Sequence, residues 1–152
     1  MSEINKTIVK DVYSAFQRRD IPALLNCLSE DVHWFSIGPP QIIPTAGTRY
    51  GRKQVEEYLY TLEAIEEVKS FTPQELIADG EKVVAVGEMQ SRIRSTDILI
   101  KTPWVHIFTF RKGKINDFRS FCDTAAVVAA LEEKQIYSAK AATFKPRSVG
   151  LI

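Results

Sequence analysis

The 152-residue chain predicts an α+β fold, with helices gathered before an antiparallel sheet. Apolar residues recur at helical spacing through the first third of the chain. From Phe71 on the period shortens to two, and three short turn signals divide the stretch up to Asp123 into four strands.

Ile4, Ile8, Val9, Val12, Ala15 and Phe16 make one apolar face of a first helix. In "RRDIPALLNCL" Asp20 can cap a second helix, and Pro22 near its first turn has no amide to satisfy. Leu24, Leu25 and Leu28 form that helix's buried stripe, and "DVHWFS" reads as a short strand. The loop "IGPPQIIPTAGTRYG" is too rich in Gly and Pro to be regular throughout, and its length is that of a binding loop. Val55, Tyr58, Leu59 and Leu62 mark a third amphipathic helix. Turns at Asp79-Gly80, "RSTD" and "RKGK" then link four strands in a meander, and Asp123 with Thr124 can cap a short helix, "TAAVVAALEEK". Three helices cannot cover both faces of a strongly curved sheet. The sheet is therefore expected to curl around them as a cone enclosing a pocket. The domain is expected over residues 1–132, and 133–152, locally basic and without a sustained period, is expected as a tail or arm.

Bulk properties narrow the function. A net charge of +1 gives no reason to expect nucleic acid. No apolar run approaches the ~18 residues of a membrane span. The opening "MSEINKTIVKDVY" is polar and amphipathic, without a secretory core, and Cys27 and Cys122 lack metal-ligand spacing. Reduced cysteines, a cytoplasmic location, and neither metal nor cofactor are the expectation.

His106 is the residue that invites chemistry. It sits on a strand where a core would place Val or Phe. Alternation puts Trp104, His106, Phe108 and Phe110 on one face, with Val105, Ile107 and Thr109 on the other. On the next strand, Asn116, Phe118, Ser120 and Cys122 alternate with Ile115, Asp117, Arg119 and Phe121. A two-residue Lys112-Gly113 loop would pair His106 with Arg119. A three-residue Arg111-Lys112-Gly113 loop would pair it with Phe118. The first sets Asp117 and Arg119 among aromatic rings, at a steep desolvation cost, so the three-residue loop is expected. Trp34 and Ser36 from the first strand and Tyr58 from the third helix are expected to join this inner face. The result is a mostly apolar pocket with a few polar points, the usual character of a small-molecule site.

Each candidate has a plainer alternative. His106 either acts as a general acid, base or hydrogen-bond donor to a ligand, or is a core histidine bonded to a backbone carbonyl, Ser120 or Tyr58. Ser120 and Cys122 lack an orienting carboxylate and read as small residues that make room. Asp123 reads as a helix cap and Asp31 as a turn residue. Tyr13, beside the first helix's stripe, either reaches the pocket or lies at the helix edge. With Trp34 facing in, His33 faces out.

The element order, with "AFQRRDIPALLNCLSEDVHW", "AGTRYGRKQVEEYL" and "WVHIFTFRKGKINDFRSFCDT", resembles the nuclear transport factor 2-like superfamily, which includes ketosteroid isomerases and SnoaL-like polyketide cyclases. The resemblance spans about residues 4–132. It implies a catalytic role for His106, which falls where ketosteroid isomerases carry an oxyanion-hole acid and where SnoaL-like cyclases carry a His. The isomerases' Asp base falls at Ser36, the cyclases' acid/base Asp at Ser120, and the isomerases' Tyr near Val12, one residue from Tyr13. Arg94 and Asp97 of "RSTD" resemble a pair in limonene epoxide hydrolases but sit in an ordinary turn.

The functions in view are an enzyme of isomerase or cyclase type using His106 on a small apolar carbonyl compound, and a non-catalytic pocket for such a molecule. A third is an assembly domain. Val105, Ile107, Thr109 and Phe121 form an apolar outer face, for which a homodimer through the sheet is expected.

Overall fold

The structure, a computed structural model, describes residues 2–140, with side chains as far as 132. Helix α1 (Ser2–Arg18) and the short α2 (Ile21–Asn26) precede strand β1 (Leu28–Ser36). Strand β2 (Gly47–Tyr50) and helix α3 (Gly51–Ile65) come next, then β3 (Glu66–Asp79), β4 (Lys82–Ile93), β5 (Ile98–Arg111), β6 (Lys114–Cys122) and helix α4 (Thr124–Lys140). The six strands form one curved, open sheet in the order β2-β1-β6-β5-β4-β3. β1 runs parallel to β6 and every other pair is antiparallel, so the sheet is mixed. Bulges in β3, at Val68/Ser70 and Pro73/Glu75, bend the edge strand. Pro73 is tolerated there because an edge strand has no neighbour waiting for its missing amide.

The α+β expectation and the four-strand meander hold. Asp20 caps α2 through Oδ1, which accepts from the Ala23 amide at 3.1 Å, and Asp123 caps α4 through the Ala126 amide at 3.2 Å. Of the expected tail, 141–152 lie outside the described residues.

Five local expectations need correction. The buried face of α1 is Asn5, Val9, Val12, Tyr13 and Ala15, while Ile4 is 58% exposed. The helix is rotated so that Asn5 rather than Ile4 turns inward in its first turn. Leu28 is fully buried but opens β1, because α2 stops after six residues. Asp31 lies within β1, where its carboxylate accepts from the Arg111 guanidinium at 2.8 Å. The Gly- and Pro-rich loop contains β2, which pairs with His33 to Ser36. β3 begins at Glu66, directly after α3, five residues before the expected change of period.

The β5–β6 connection corrects the register. Arg111 pairs with Lys114 across a two-residue turn, with Lys112 and Gly113 both at positive φ (53° and 77°), the type I′ pattern. A bulge then inserts one residue, because Phe110 pairs with Ile115 and Thr109 with Asp117. His106 consequently faces Ser120 rather than Phe118. The bulge restores the parity that the short turn would have spoiled, and keeps Asp117 and Arg119 off the aromatic face.

Candidate functional site

Cross-strand register arranges the inner face in three rows. Trp34, Phe118, Phe108 and Val83 align across β1, β6, β5 and β4. Ser36, Ser120, His106 and Ala85 form the next row, and Cys122, Trp104 and Gly87 the third. A polar row thus lies between two apolar ones. Gly87 has a steric reason. A Cβ there would lie 2.3 Å from the Thr72 carbonyl oxygen and 2.4 Å from Trp104 Cζ2, so the absence of a side chain is what lets the indole lie against β4.

His106 is enclosed by rings. Trp104 stacks on it at 4.3 Å between centroids and 26° between planes, and Phe118 meets it at 4.8 Å and 64°. Nδ1 lies 2.8 Å from the Tyr13 hydroxyl. Burial pushes the imidazole down from 6.5 to about 3, so the ring is neutral at physiological pH. A neutral imidazole has one donor and one acceptor nitrogen. The bond can run in either direction; in the tautomer in which the Tyr13 O–H donates to Nδ1, Nε2 carries the proton, and Nε2 makes no hydrogen bond to any described residue. Tyr13 itself is pushed up by burial, so its hydroxyl keeps its proton. Two further donors stand unpartnered and buried, the indole N–H groups of Trp34 and Trp104. The Trp34 N–H approaches the Tyr58 hydroxyl without completing a hydrogen bond.

The loop after β1 adds Ile37, Ile43 and Thr45 to the same space, and helix α4 adds Val127. Arg49 Nη1 donates to the carbonyls of Thr45 and Ala46, each at 2.9 Å. Ile43, Ala46, Ile93, Ile100, Val127 and Ala130 pack into a second small core beneath α4. The Ser36 hydroxyl reaches the Tyr58 hydroxyl at 3.5 Å, a long contact. Cys122 is pushed up to about 11 by burial and by the nearby carboxylates of Glu66 and Asp123, so it is a thiol and not a nucleophilic thiolate.

Together these side chains enclose a cavity of about 120 Å³. Trp34, Ser36, Tyr58, Trp104, His106, Phe108, Phe118, Ser120 and Cys122 all line it. Tyr13, Phe71, Met89 and Glu66 line it too, beyond the residues that strand alternation places there. Beside it, between α1–α2, α3 and the start of β3, lies a larger cleft of about 620 Å³. Phe16, Leu24, Leu59, Leu62, Val68, Phe71 and Glu66 border both spaces, so the cleft and the cavity adjoin.

Glu66 is the unexpected member. Its side chain is buried, and its only side-chain hydrogen bond among the described residues is from the Ser91 hydroxyl, which donates to Oε1 at 2.7 Å. No cation pairs with it among the described residues. Burial pushes the carboxyl up, and the Ser91 hydrogen bond opposes that only in part. A helix-to-strand junction without Gly or Pro hides its position in the sequence. Only the parity of a strand starting at residue 66 would turn it inward. The other excluded candidates lie elsewhere: His33 is exposed against Tyr50, and Arg94 and Asp97 sit in the β4–β5 turn, tied to Glu63 and Arg92. Among the described residues no cluster of three or more His, Cys, Asp and Glu could hold a metal. No described helix is long and apolar enough to cross a membrane.

A family model described as the SnoaL-like domain matches residues 9–118. The chain belongs to the SnoaL-like family. Its fold is that of an NTF2-like protein from Burkholderia xenovorans LB400, 33% identical with a TM-score of 0.79, the match covering 87% of this chain and 98% of that one. An NTF2-like protein from Burkholderia pseudomallei K96243 is 27% identical with a TM-score of 0.80, over 87% and 99% of the two chains. TerC, co-crystallized with polyporic acid, is 25% identical with a TM-score of 0.75, over 85% and 98%. No curated protein matches the sequence. Within this SnoaL-like frame Ser36 and Ser120 stand side by side in the polar row, and the carboxyl of the cavity comes from β3 instead.

Proposed function

We propose that the cavity holds a small, largely apolar, ring-sized molecule, and that His106 offers it a hydrogen bond from Nε2–H. The observation that carries this reading is the Tyr13–His106 pair. A buried tyrosine occupies one nitrogen of a neutral ring and leaves the other free in a cavity walled by aromatics. Size supports the class of ligand. A cavity of roughly 150 Å³ accepts a benzene, and this one is about 120 Å³, so it is of single-ring scale and a ring enters with a small outward shift of the wall. The complex of TerC with polyporic acid supports small-molecule binding by a relative at 25% identity.

An enzymatic role of isomerase or cyclase type would use the same bond. A ring titrating near 3 is a poor proton shuttle at neutral pH. Its Nε2–H can still stabilise negative charge growing on a substrate oxygen. Binding of benzyl alcohol, followed by tryptophan fluorescence, tests the reading. Saturable binding that weakens in His106→Phe supports it, and binding unchanged by that substitution contradicts the His106 role.

A homodimer through the outer sheet face accompanies this reading. Val105, Ile107, Thr109 and Phe121 are only partly covered, and Phe35 and Phe121 add rings 6.2 Å apart to the same face. Sedimentation at micromolar concentration should show a dimer, and a monomer there would refute it.

A further inference from the structure

The polar groups of the cavity are unequal in charge. Among the described residues, no Lys or Arg lines it. Tyr13, Tyr58 and Cys122 keep their protons, and His106 is neutral. Glu66 is the one side chain there that can carry charge at neutral pH, and nothing cationic touches it. Arg49 lies over the Tyr58 ring, 5.5 Å from its centroid, and its Nη atoms are engaged with the carbonyls of Pro44, Thr45 and Ala46. At the rim of the cleft the cations are also paired, Arg19 with Glu63 and Lys69 with Glu67. A buried carboxyl without a counter-ion is costly to keep.

Glu66 from β3 lines the cavity together with Cys122 of β6 and Tyr58 of α3. Around the same cavity stand Trp34, Tyr58, Phe71, Trp104 and Phe118. Aromatic faces and one carboxylate, with no competing cation, are the elements that recognise an organic ammonium group. Carboxylates and phosphates, by contrast, would meet a like charge and no partner.

We propose that Glu66 is a ligand-binding residue and that the cavity selects a small protonated amine carrying a ring-sized apolar body. Glu66 pairs with the ammonium group where the cleft adjoins the cavity, and the ring lies against the aromatic wall toward His106. This rests on the reading that the cavity is the ligand site.

The test is calorimetric titration of the full chain at pH 7.5 with three probes of similar size, benzylamine, benzyl alcohol and benzoate. Wild type is expected to bind benzylamine roughly tenfold more tightly than benzyl alcohol, with benzoate weakest. Glu66→Gln should bring benzylamine and benzyl alcohol to near equality. Benzyl alcohol binding as tightly as benzylamine in wild type would overturn the proposal while leaving the cavity reading intact, and this comparison needs no variant to fold. A preference that survives in Glu66→Gln would overturn it as well. If none of the three probes binds saturably, the cavity reading itself fails and the inference falls with it.

Discussion

Two ends of one cavity hold a buried polar pair of nearly the same length, Tyr13 with His106 at 2.8 Å and Ser91 with Glu66 at 2.7 Å. Burial acts on both and with opposite sign. It pushes the base down, so that His106 sheds its charge, and the acid up. Neutralising His106 leaves an oriented ring with Nδ1 paired to Tyr13 and Nε2 free. Glu66, even with its Ser91 bond, remains a carboxyl without a counter-ion. The same desolvation therefore makes one end a rigid hydrogen-bonding group and the other a group in want of a partner.

Four experiments separate the ends. The largest effect is expected from Gly87→Ala, because the new Cβ would meet a backbone carbonyl that cannot move aside and the Trp104 indole stacked on His106. Overpacking of this kind costs about 3 kcal/mol, read as a fall in unfolding midpoint with denaturant. A normal midpoint would show that the wall is looser than its rings suggest.

Next is acid. His106 has its folded value depressed to about 3, so the stability it permits is present above pH 6.5 and is lost as pH falls toward 3. At pH 5 the loss reaches about 2 kcal/mol at 1.36 kcal/mol per unit. Denaturation curves at pH 7 and pH 5 should show it in wild type, and His106→Phe should flatten it.

Tyr13→Phe removes the hydroxyl and leaves buried Nδ1 without a partner. The expected loss is about 1–2 kcal/mol, with the acid dependence retained because burial is unchanged. The smallest effect belongs to the other end. Glu66 has its folded value raised, so its contribution is fullest at low pH and declines as pH rises. Glu66→Gln should therefore gain stability relative to wild type between pH 4 and pH 8. A variant that loses ground on that rise would show the carboxylate to be stabilised where it stands.

How much of the site is legible in the residues differs between the ends for a physical reason. His106 lies mid-strand in a meander with clear turns, and two-residue alternation places it with Trp104 and Phe108, while the choice of the β6 face that carries Ser120 rests on the desolvation cost of Asp117 and Arg119. The alternation survives an error in turn length, because the bulge between Phe110 and Thr109 compensates for it. Bulges leave no periodic trace, so the cross-strand partner of His106 is out of the sequence's reach. Tyr13 is ambiguous because helix α1 is rotated so that Asn5, not Ile4, is buried, and only packing against the sheet sets that rotation. Glu66 is hidden because α3 passes into β3 without a break, and a carboxylate beside Glu67 reads as a solvated pair. In the fold Glu67 faces outward to Arg92 and Glu66 faces inward.

The central claim is that the cavity accepts one ring-sized molecule beside His106. The chain has two tryptophans, and both line that space and carry buried, unpartnered indole N–H groups. A ¹⁵N-resolved NMR titration with benzyl alcohol reads both directly. Saturable shifts of both indole signals together with the His106 ring, at one molecule per chain, are the predicted result. Shifts confined to surface amides, with the indole and imidazole signals unmoved at saturating probe, would contradict it.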